Sequence, residues 1–397
     1  MIYTSVVNWA GFALIAALWW ALPARARVPW LAVSSLALLA LNDWFAALVL
    51  AFTALAAGVG PRWVRAARRG AGARAAVLYT SILLPLVALK YPGWFGLPGT
   101  PWTLGAGLAA TSLAFPLGVS YFTFKAVMFA RGSIRGELAD TGVTGLLAYL
   151  AFAPAASAGP IDRPRPLLEQ FARTRRLARD ELVYAGYRIA TGLALKFVLA
   201  DTLQFVVAKE LQPEAMAGSP GRLLCFGPLY ALLIYTDFAG YSHIAIGCAA
   251  LLGLRSMENF DRPYLKPTIG EFWRSWHISL TTFLRDYIFL PLALRWSRPL
   301  GPTAASYLAT LVTFAACGIW HGEGLNFLLW GLYHGCLIVG QQAFHAATRH
   351  TRPFRRWRRR APYRLAATGL TFVTVAAGWY LFAFDLQELA TMLGHNR

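Results

Sequence analysis

Long apolar runs alternate with short polar stretches along this sequence, and many of them approach the length a lipid bilayer demands. They lie at about 6–22, 28–41, 44–60, 75–89, 104–129, 143–158, 181–207, 222–253, 302–320, 325–346 and 362–384. A helix crosses the hydrocarbon core with roughly 20 apolar residues. The pattern therefore predicts an all-α polytopic membrane protein of about eleven spans, with residues 1–397 forming one integral membrane domain. Leu41, Asn42 and Asp43 read as a tight connection between two short spans. No basic stretch precedes the run from Val6 to Leu22, and no cleavage pattern follows it. It reads as the first span and not as a signal peptide.

One segment has a different period. Residues 270–292 read GEFWRSWHISLTTFLRDYIFLPL. Wound at ~100° per residue, Phe272, Trp273, Trp276, Leu280, Phe283, Leu284 and Tyr287 share one arc. Glu271, Arg274, Ser275, Thr281, Thr282, Arg285 and Asp286 share the other, and His277 falls on the edge. The spacing predicts an amphipathic helix of about four turns, closed by Pro291. Such a helix either lies on the membrane surface or lines an aqueous path inside the protein, its tryptophan face packed on other helices.

Composition supports the membrane reading: 57% of residues are hydrophobic and only 14% charged, against roughly one quarter charged in soluble domains. The net charge of +19 would suit a nucleic-acid binder, but the arginines cluster in short loops between apolar runs. Residues 61–74 (PRWVRAARRGAGAR), 163–179 (RPRPLLEQFARTRRLAR) and 349–360 (RHTRPFRRWRRR) hold most of them. That is the positive-inside pattern, and it brings the loops to anionic lipid. With 23–29, 61–74, 294–299 and 347–361 in the cytoplasm, one conflict remains. Three runs separate 61–74 from 163–179, an odd number that would put the second loop outside. A re-entrant or broken segment at 143–160 (VTGLLAYLAFAPAASAGP) restores parity. Irregular backbone survives at that depth only where protein or a water-filled cavity covers it.

Ionisable groups inside apolar runs usually face a bundle interior or a cavity. Tyr235, Asp237, Tyr241 and His243 lie mid-run in 229–254, and Lys125, Lys196 and Asp201 lie in other runs. Asp237 is either a hydrogen-bonded structural acid or a chemical one, and the lysines can snorkel. His321 follows Gly318, Ile319 and Trp320 and precedes Gly322, so small residues flank it and leave room for a ligand. Alone, it reads as a packed histidine as readily as a catalyst; His334 reads as structural. Cys225, Cys248, Cys317 and Cys336 show no disulfide framework or metal spacing. There is no HExxH, Walker A, GxGxxG or GxSxG motif. Those absences remove the common soluble chemistries.

Four blocks resemble the membrane-bound O-acyltransferase family, most of all its bacterial branch of alginate O-acetylation and teichoic-acid D-alanyl transfer proteins. They are 118–129 (GVSYFTFKAVMF), 149–171, 235–292 and 318–335 (GIWHGEGLNFLLWGLYHG). The resemblance implies a ring of about eleven transmembrane helices with re-entrant segments around a central tunnel. It implies that His321 is the active-site histidine and His277 the second functional one. Trp273, Arg274, Trp276, Arg285 and Asp286 would shape the tunnel, and Asp237 and Asn259 match motif positions. Acyl transfer to a hydroxyl needs a base near neutral pH, which histidine supplies, and donors to the developing oxyanion, which His277 or Asn326 could supply. The implied donor is a cytoplasmic thioester, acyl-CoA or an acyl carrier protein, with no metal or resident cofactor. The implied acceptor is a glycopolymer or a periplasmic or extracellular acyltransferase partner beyond a bacterial cytoplasmic (inner) membrane. The preferred reaction is O-acetylation of a cell-surface or secreted polysaccharide, with D-alanyl transfer to teichoic acid or another envelope polymer as the alternative. A transporter or channel is the rival from another class. Inverted repeats would favour it, and none is visible.

Overall fold

The computed structural model describes residues 5–95, 116–138, 141–173, 177–351, 356–358 and 360–394, and among them regular structure is helical. Their one β-pairing outside helices is an isolated bridge between Phe260 and Trp276. In chain order the helices begin with α1 (Val6–Ala21), α2 (Ala24–Asn42), α3 (Trp44–Arg65), α4 (Ala71–Lys90), α5 (Val119–Ile134), α6 (Gly142–Ala151) and α7 (Pro164–Phe171). Helix α8 (Arg179–Leu193) runs through a π-helical turn, Ala194–Ala200, into α9 (Asp201–Glu210). Then follow α10 (Pro213–Met216), α11 (Pro220–Leu251), α12 (Ile269–Ser275), α13 (Ile278–Leu284), α14 (Leu290–Leu300), α15 (Pro302–His321), α16 (Leu325–Thr348), α17 (Ala361–Ala383) and α18 (Leu386–Met392).

Seven of these elements are long and apolar enough to cross a membrane: α2, α3, α4, the continuous α8–α9 run, α11, α15 and α17. The apolar runs predicted about eleven spans; seven is the number that meets the length and hydropathy of a span among the described residues. Residues 104–115 lie outside the described residues, α1 and α6 are short apolar helices, and α16 is long but less apolar.

The chain forms two compact units. The first comprises Met1–Gly192 and Tyr241–Met257. Its helix α6 stops after ten residues, about 15 Å of rise, half the bilayer core. The chain then passes through a 3₁₀ turn at Ala153–Ala155 and, apart from the half-buried Ala158, stays buried to Asp162. So the 143–160 run is broken, and protein covers it. Buried backbone needs partners, and side chains supply them here. Ala153 N donates to Ser35 Oγ at 3.2 Å, and the Tyr149 hydroxyl donates to the Asp162 carbonyl at 2.9 Å. The Asp162 carboxylate accepts from Ser256 Oγ (2.7 Å) and Met257 N (2.8 Å), while Ser157 and Tyr241 share a hydroxyl hydrogen bond. Gly118, with φ +74°, makes the close approach possible: a Cβ there would run into the Ala156 carbonyl oxygen. Lys125 does not snorkel. It is 1% exposed, donates to the Tyr149 carbonyl at 3.1 Å and lies over the Tyr149 ring.

The second unit comprises Leu193–Gly240 and Glu258–Arg397. Its centre is the crossing of α15 and α16. The Phe314 carbonyl oxygen occupies the space a Cβ on Gly331 would need, and the Phe327 carbonyl oxygen does the same at Gly318. Apolar side chains gain little by meeting one another in lipid, so close backbone contact between small residues is how membrane helices pack tightly. Around the crossing, Trp330 and Trp379 are each 1% exposed and stack on one another.

Candidate active site

The 270–292 segment is not one helix. It divides into α12 and α13 at Trp276 and His277, and His277 takes the left-handed conformation, φ 44° and ψ 53°. A second strip of chain, 258–261, makes the break. Asp261 N donates to the Ser275 carbonyl (3.0 Å) and Ile278 N to the Asn259 carbonyl (2.9 Å). The buried Asn259 side chain accepts from Ser279 Oγ at 2.7 Å. Groups that an unbroken helix would have satisfied internally are satisfied across this clamp instead. In the same loop, Lys266, 2.7 Å from Asp261, holds that carboxyl below the usual carboxylate range. Pro291 does not close the pattern either. A π-helical turn, Arg285–Phe289, precedes it, and α14 continues through it to Leu300. Proline is tolerated in a first helical turn, where its missing N–H is not needed.

The break turns this segment toward a cavity of about 240 Å³ inside the second unit. His277 from the break and His321 from the end of α15 both line it. His277 is 5% exposed, and its Nε2 has no hydrogen-bond partner among the described residues. Its ring meets the edge of Phe238 at 4.6 Å. His321 is half-buried and sits against Trp330 (5.0 Å) and Phe382 (4.9 Å). Trp273, Trp276, Arg274 and Arg285 complete the part of the wall that the sequence singled out. The two arginines are exposed. Trp273 Nε1 is a further buried donor without a partner among the described residues.

The tryptophan arc was expected to pack away from the path and the polar arc to line it. Both contribute: Trp273, Trp276, Leu280 and Leu284 line the cavity beside Arg274, Thr281 and Arg285. Burial of Phe272, Trp273 and Trp276 removes the surface-lying alternative for this part of the segment. Asp286, Asn326 and Asp237 are not in the wall. Asp286 accepts from Arg285 Nε at 2.9 Å, and the Asn326 amide donates to the Leu381 carbonyl at 3.2 Å. Asp237 pairs with Lys196, which also lies 3.6 Å from Asp201. His334 is fully buried beneath Trp273 and Trp330 and stays outside the wall. Gly322 does not leave open space, because the Phe327 ring fills it.

Sequence reasoning missed Thr310, Thr313 and Cys317, which line the cavity on α15. Their signal was present, since positions 310, 313, 317 and 321 follow helical spacing and form one stripe ending at His321. Each threonine hydroxyl donates back to its own helix, Thr310 to Ser306 and Thr313 to Ala309. These two hydroxyls therefore face the cavity without being left unpaired.

The left-handed backbone at His277 gives a stability order. Asparagine tolerates that region, alanine less well, and a β-branched residue is an outlier there. Melting of the purified protein should fall in the order His277→Asn, His277→Ala, His277→Val. Val melting above Asn would contradict the left-handed assignment.

Comparison with known proteins completes the picture. The family model described as MBOAT, membrane-bound O-acyltransferase family, matches residues 30–377. The probable alginate O-acetylase of Pseudomonas aeruginosa is 32% identical over 289 residues, 70% of this chain and 51% of that protein. The corresponding protein of Pseudomonas syringae pv. tomato is 31% identical over 281 residues, again 70% and 51%. The teichoic acid D-alanyltransferase of Bacillus subtilis is 31% identical over 279 residues, 67% of this chain and 68% of that protein. The chain thus spans about half the length of the alginate relatives it matches. With a match across most of its length and similarity of this extent, the chain belongs to the membrane-bound O-acyltransferase family.

Proposed function

We propose that this protein transfers an acyl group, acetyl in the preferred reading, from a cytoplasmic thioester to a hydroxyl of a cell-surface or secreted polysaccharide. The observation that carries the proposal is the meeting of His277 and His321 on one cavity. The acceptor oxygen attacks the thioester carbonyl carbon, the C–O bond forms and the C–S bond breaks. His321 takes the hydroxyl proton as general base and returns it to the leaving thiolate. The imidazolium formed in between stands at the C-terminal end of α15, where helix carbonyls favour positive charge. His277 Nε2 and Trp273 Nε1, buried and without partners among the described residues, are the donors for the developing oxyanion. Asn326 leaves that role because it does not line the cavity; one of its two amide N–H groups donates to the Leu381 carbonyl. Acyl-CoA or an acyl carrier protein is the donor. A bacterial cytoplasmic membrane, with a further acyltransferase or the glycopolymer itself on its far side, is the setting.

Transfer of D-alanyl to an envelope polymer is the second reading. One observation favours it: the match to the Bacillus subtilis D-alanyltransferase covers about two thirds of both chains. Mass analysis of envelope and secreted glycans from strains with and without the gene separates the two. Loss of acetyl esters supports the first reading and loss of D-alanyl esters the second. An unchanged ester pattern overturns both.

A further inference from the structure

The proposed reaction leaves His334 unused. This histidine of α16 is 0% exposed, and neither of its ring nitrogens has a hydrogen-bond partner among the described residues. Buried polar atoms without partners cost stability that an apolar side chain in the same place would not. An exception of this kind calls for an explanation. The neighbouring rings are Trp273, Trp330 and Tyr333, at centroid distances of 5.0, 5.1 and 5.2 Å.

Shape explains the ring. A Cβ on Gly378 of α17 would lie 2.7 Å from His334 Nε2, so the imidazole already takes the space that α17 leaves. A six-membered ring would need more. The same imidazole stands at 82° to the Trp273 indole. It is therefore held against both the α17 backbone and Trp273.

Trp273 lines the catalytic cavity, and its Nε1 is one of the two donors assigned to the developing oxyanion. It sits on α12, which has seven residues and stops at the break before His277. So short a helix has little stability of its own. Its hold comes from α15 and α16. Phe314 and Trp330 meet the indole at 5.1 and 5.6 Å, with interplanar angles of 73° and 78°. His334 is the third ring of this cage. The backbone of α12 is tied to the same stripe of α16, because Gly270 N donates to Gln341 Oε1 at 2.8 Å and positions 334 and 341 are about two helical turns apart. Edge-to-face contacts are directional, so three of them from buried rings leave the indole one orientation.

We infer that His334 is a positioning residue for acyl transfer: it holds the Trp273 indole in the orientation that presents Nε1 to the acyl oxygen. The inference rests on the donor role proposed above for Trp273.

The test uses the full-length protein in the membranes that produce it, with acetyl-CoA as the donor probe and released CoA thiol as the readout. Trp273→Phe should lower kcat by about 10²–10³-fold, the loss of one oxyanion donor. His334→Leu is close in volume and removes the unpartnered nitrogens, so it should melt no lower than wild type. It should nevertheless lower kcat by up to about 10²-fold, as misplacement by ~1 Å can, with KM little changed. Both act through Nε1, so adding His334→Leu to Trp273→Phe should change kcat by less than about threefold, since effects within one unit do not add.

A kcat near wild type in His334→Leu overturns the inference, and so does a double variant in which the two losses multiply. A kcat near wild type in Trp273→Phe instead overturns the donor role beneath it. Gly378→Ala reaches the same ring from α17, because its Cβ would press on Nε2. If His334→Leu cannot be purified folded, full kcat in Gly378→Ala overturns the inference independently. If wild type releases no thiol from acetyl-CoA, the acetyl reading fails, and the indole is read directly in protein made with fluorotryptophan. The Trp273 fluorine resonance, identified by its loss in Trp273→Phe, should be single and sharp in wild type and split or broadened in His334→Leu. An equally sharp single line in His334→Leu overturns the inference on its own.

Discussion

His321→Gln should lower acyl transfer by about 10²–10⁴-fold, the range a lost general base typically costs, while the protein stays folded in the membrane. Glutamine is the informative replacement because of what surrounds the ring. His321 is flanked by Trp330 at 5.0 Å and Phe382 at 4.9 Å, and the Phe327 ring already fills the space beside Gly322. Alanine would leave a gap among these aromatics and mix a packing loss with the chemical one. Glutamine keeps much of the volume and a hydrogen-bonding end but cannot take the proton. The measurement is transfer from a thioester donor to the acceptor by membranes of equal protein content, with melting as the folding control. Near-normal transfer by His321→Gln would remove proton abstraction from the role of His321 and leave the family assignment intact.

The largest structural effect should come from Gly331→Val. A Cβ there would collide with the Phe314 carbonyl oxygen, which is backbone and cannot rotate away. Overpacking ordinarily costs about 1–3 kcal/mol; separating two helices in contact belongs at or above the top of that range. Gly318 meets the same obstacle from the other side, at the Phe327 carbonyl. We expect Gly331→Val to leave little folded protein after mild detergent extraction. The comparison is Gly369→Val, a position on α17 where a Cβ would meet nothing within 4 Å. Equal recovery of the two variants would rule out the close crossing of α15 and α16.

Much of this arrangement was legible in the sequence, and the reasons for the rest are physical. Apolar run length locates the helices because lipid leaves the backbone few alternatives. The charge conflict around 143–160 pointed to the broken segment that ends α6 at Ala151. Periodicity failed at His277, because projecting residues at ~100° assumes an unbroken backbone. The break is imposed by the 258–261 strip, through the Asn259 carbonyl and side chain, and nothing local to 270–292 announces it. The same blindness affected Lys125. Snorkelling is the default for an isolated lysine in an apolar run, but Lys125 finds the Tyr149 carbonyl across 24 residues of chain. Asp237 was singled out by motif position and Asn326 as a candidate oxyanion donor; neither lines the cavity, and Asp237 pairs with Lys196 while Asn326 donates to the Leu381 carbonyl.

The two longest helical runs have a consequence for the surrounding bilayer. The α8–α9 run and α11 each contain 32 residues, about 48 Å of helix against a hydrocarbon thickness of ~30 Å. Tilted at ~40°, the upper end of what is observed, such a run still covers about 37 Å along the membrane normal. Its charged ends, Arg179 to Glu181 and Lys209 to Glu210, are suited to the headgroup layer. Lys196, within the π-helical turn, ties the run to Asp237 on α11. Within the second unit that pair links residues 193–210 to residues 220–240, so a lipid chain length that changes the tilt of one segment loads the other.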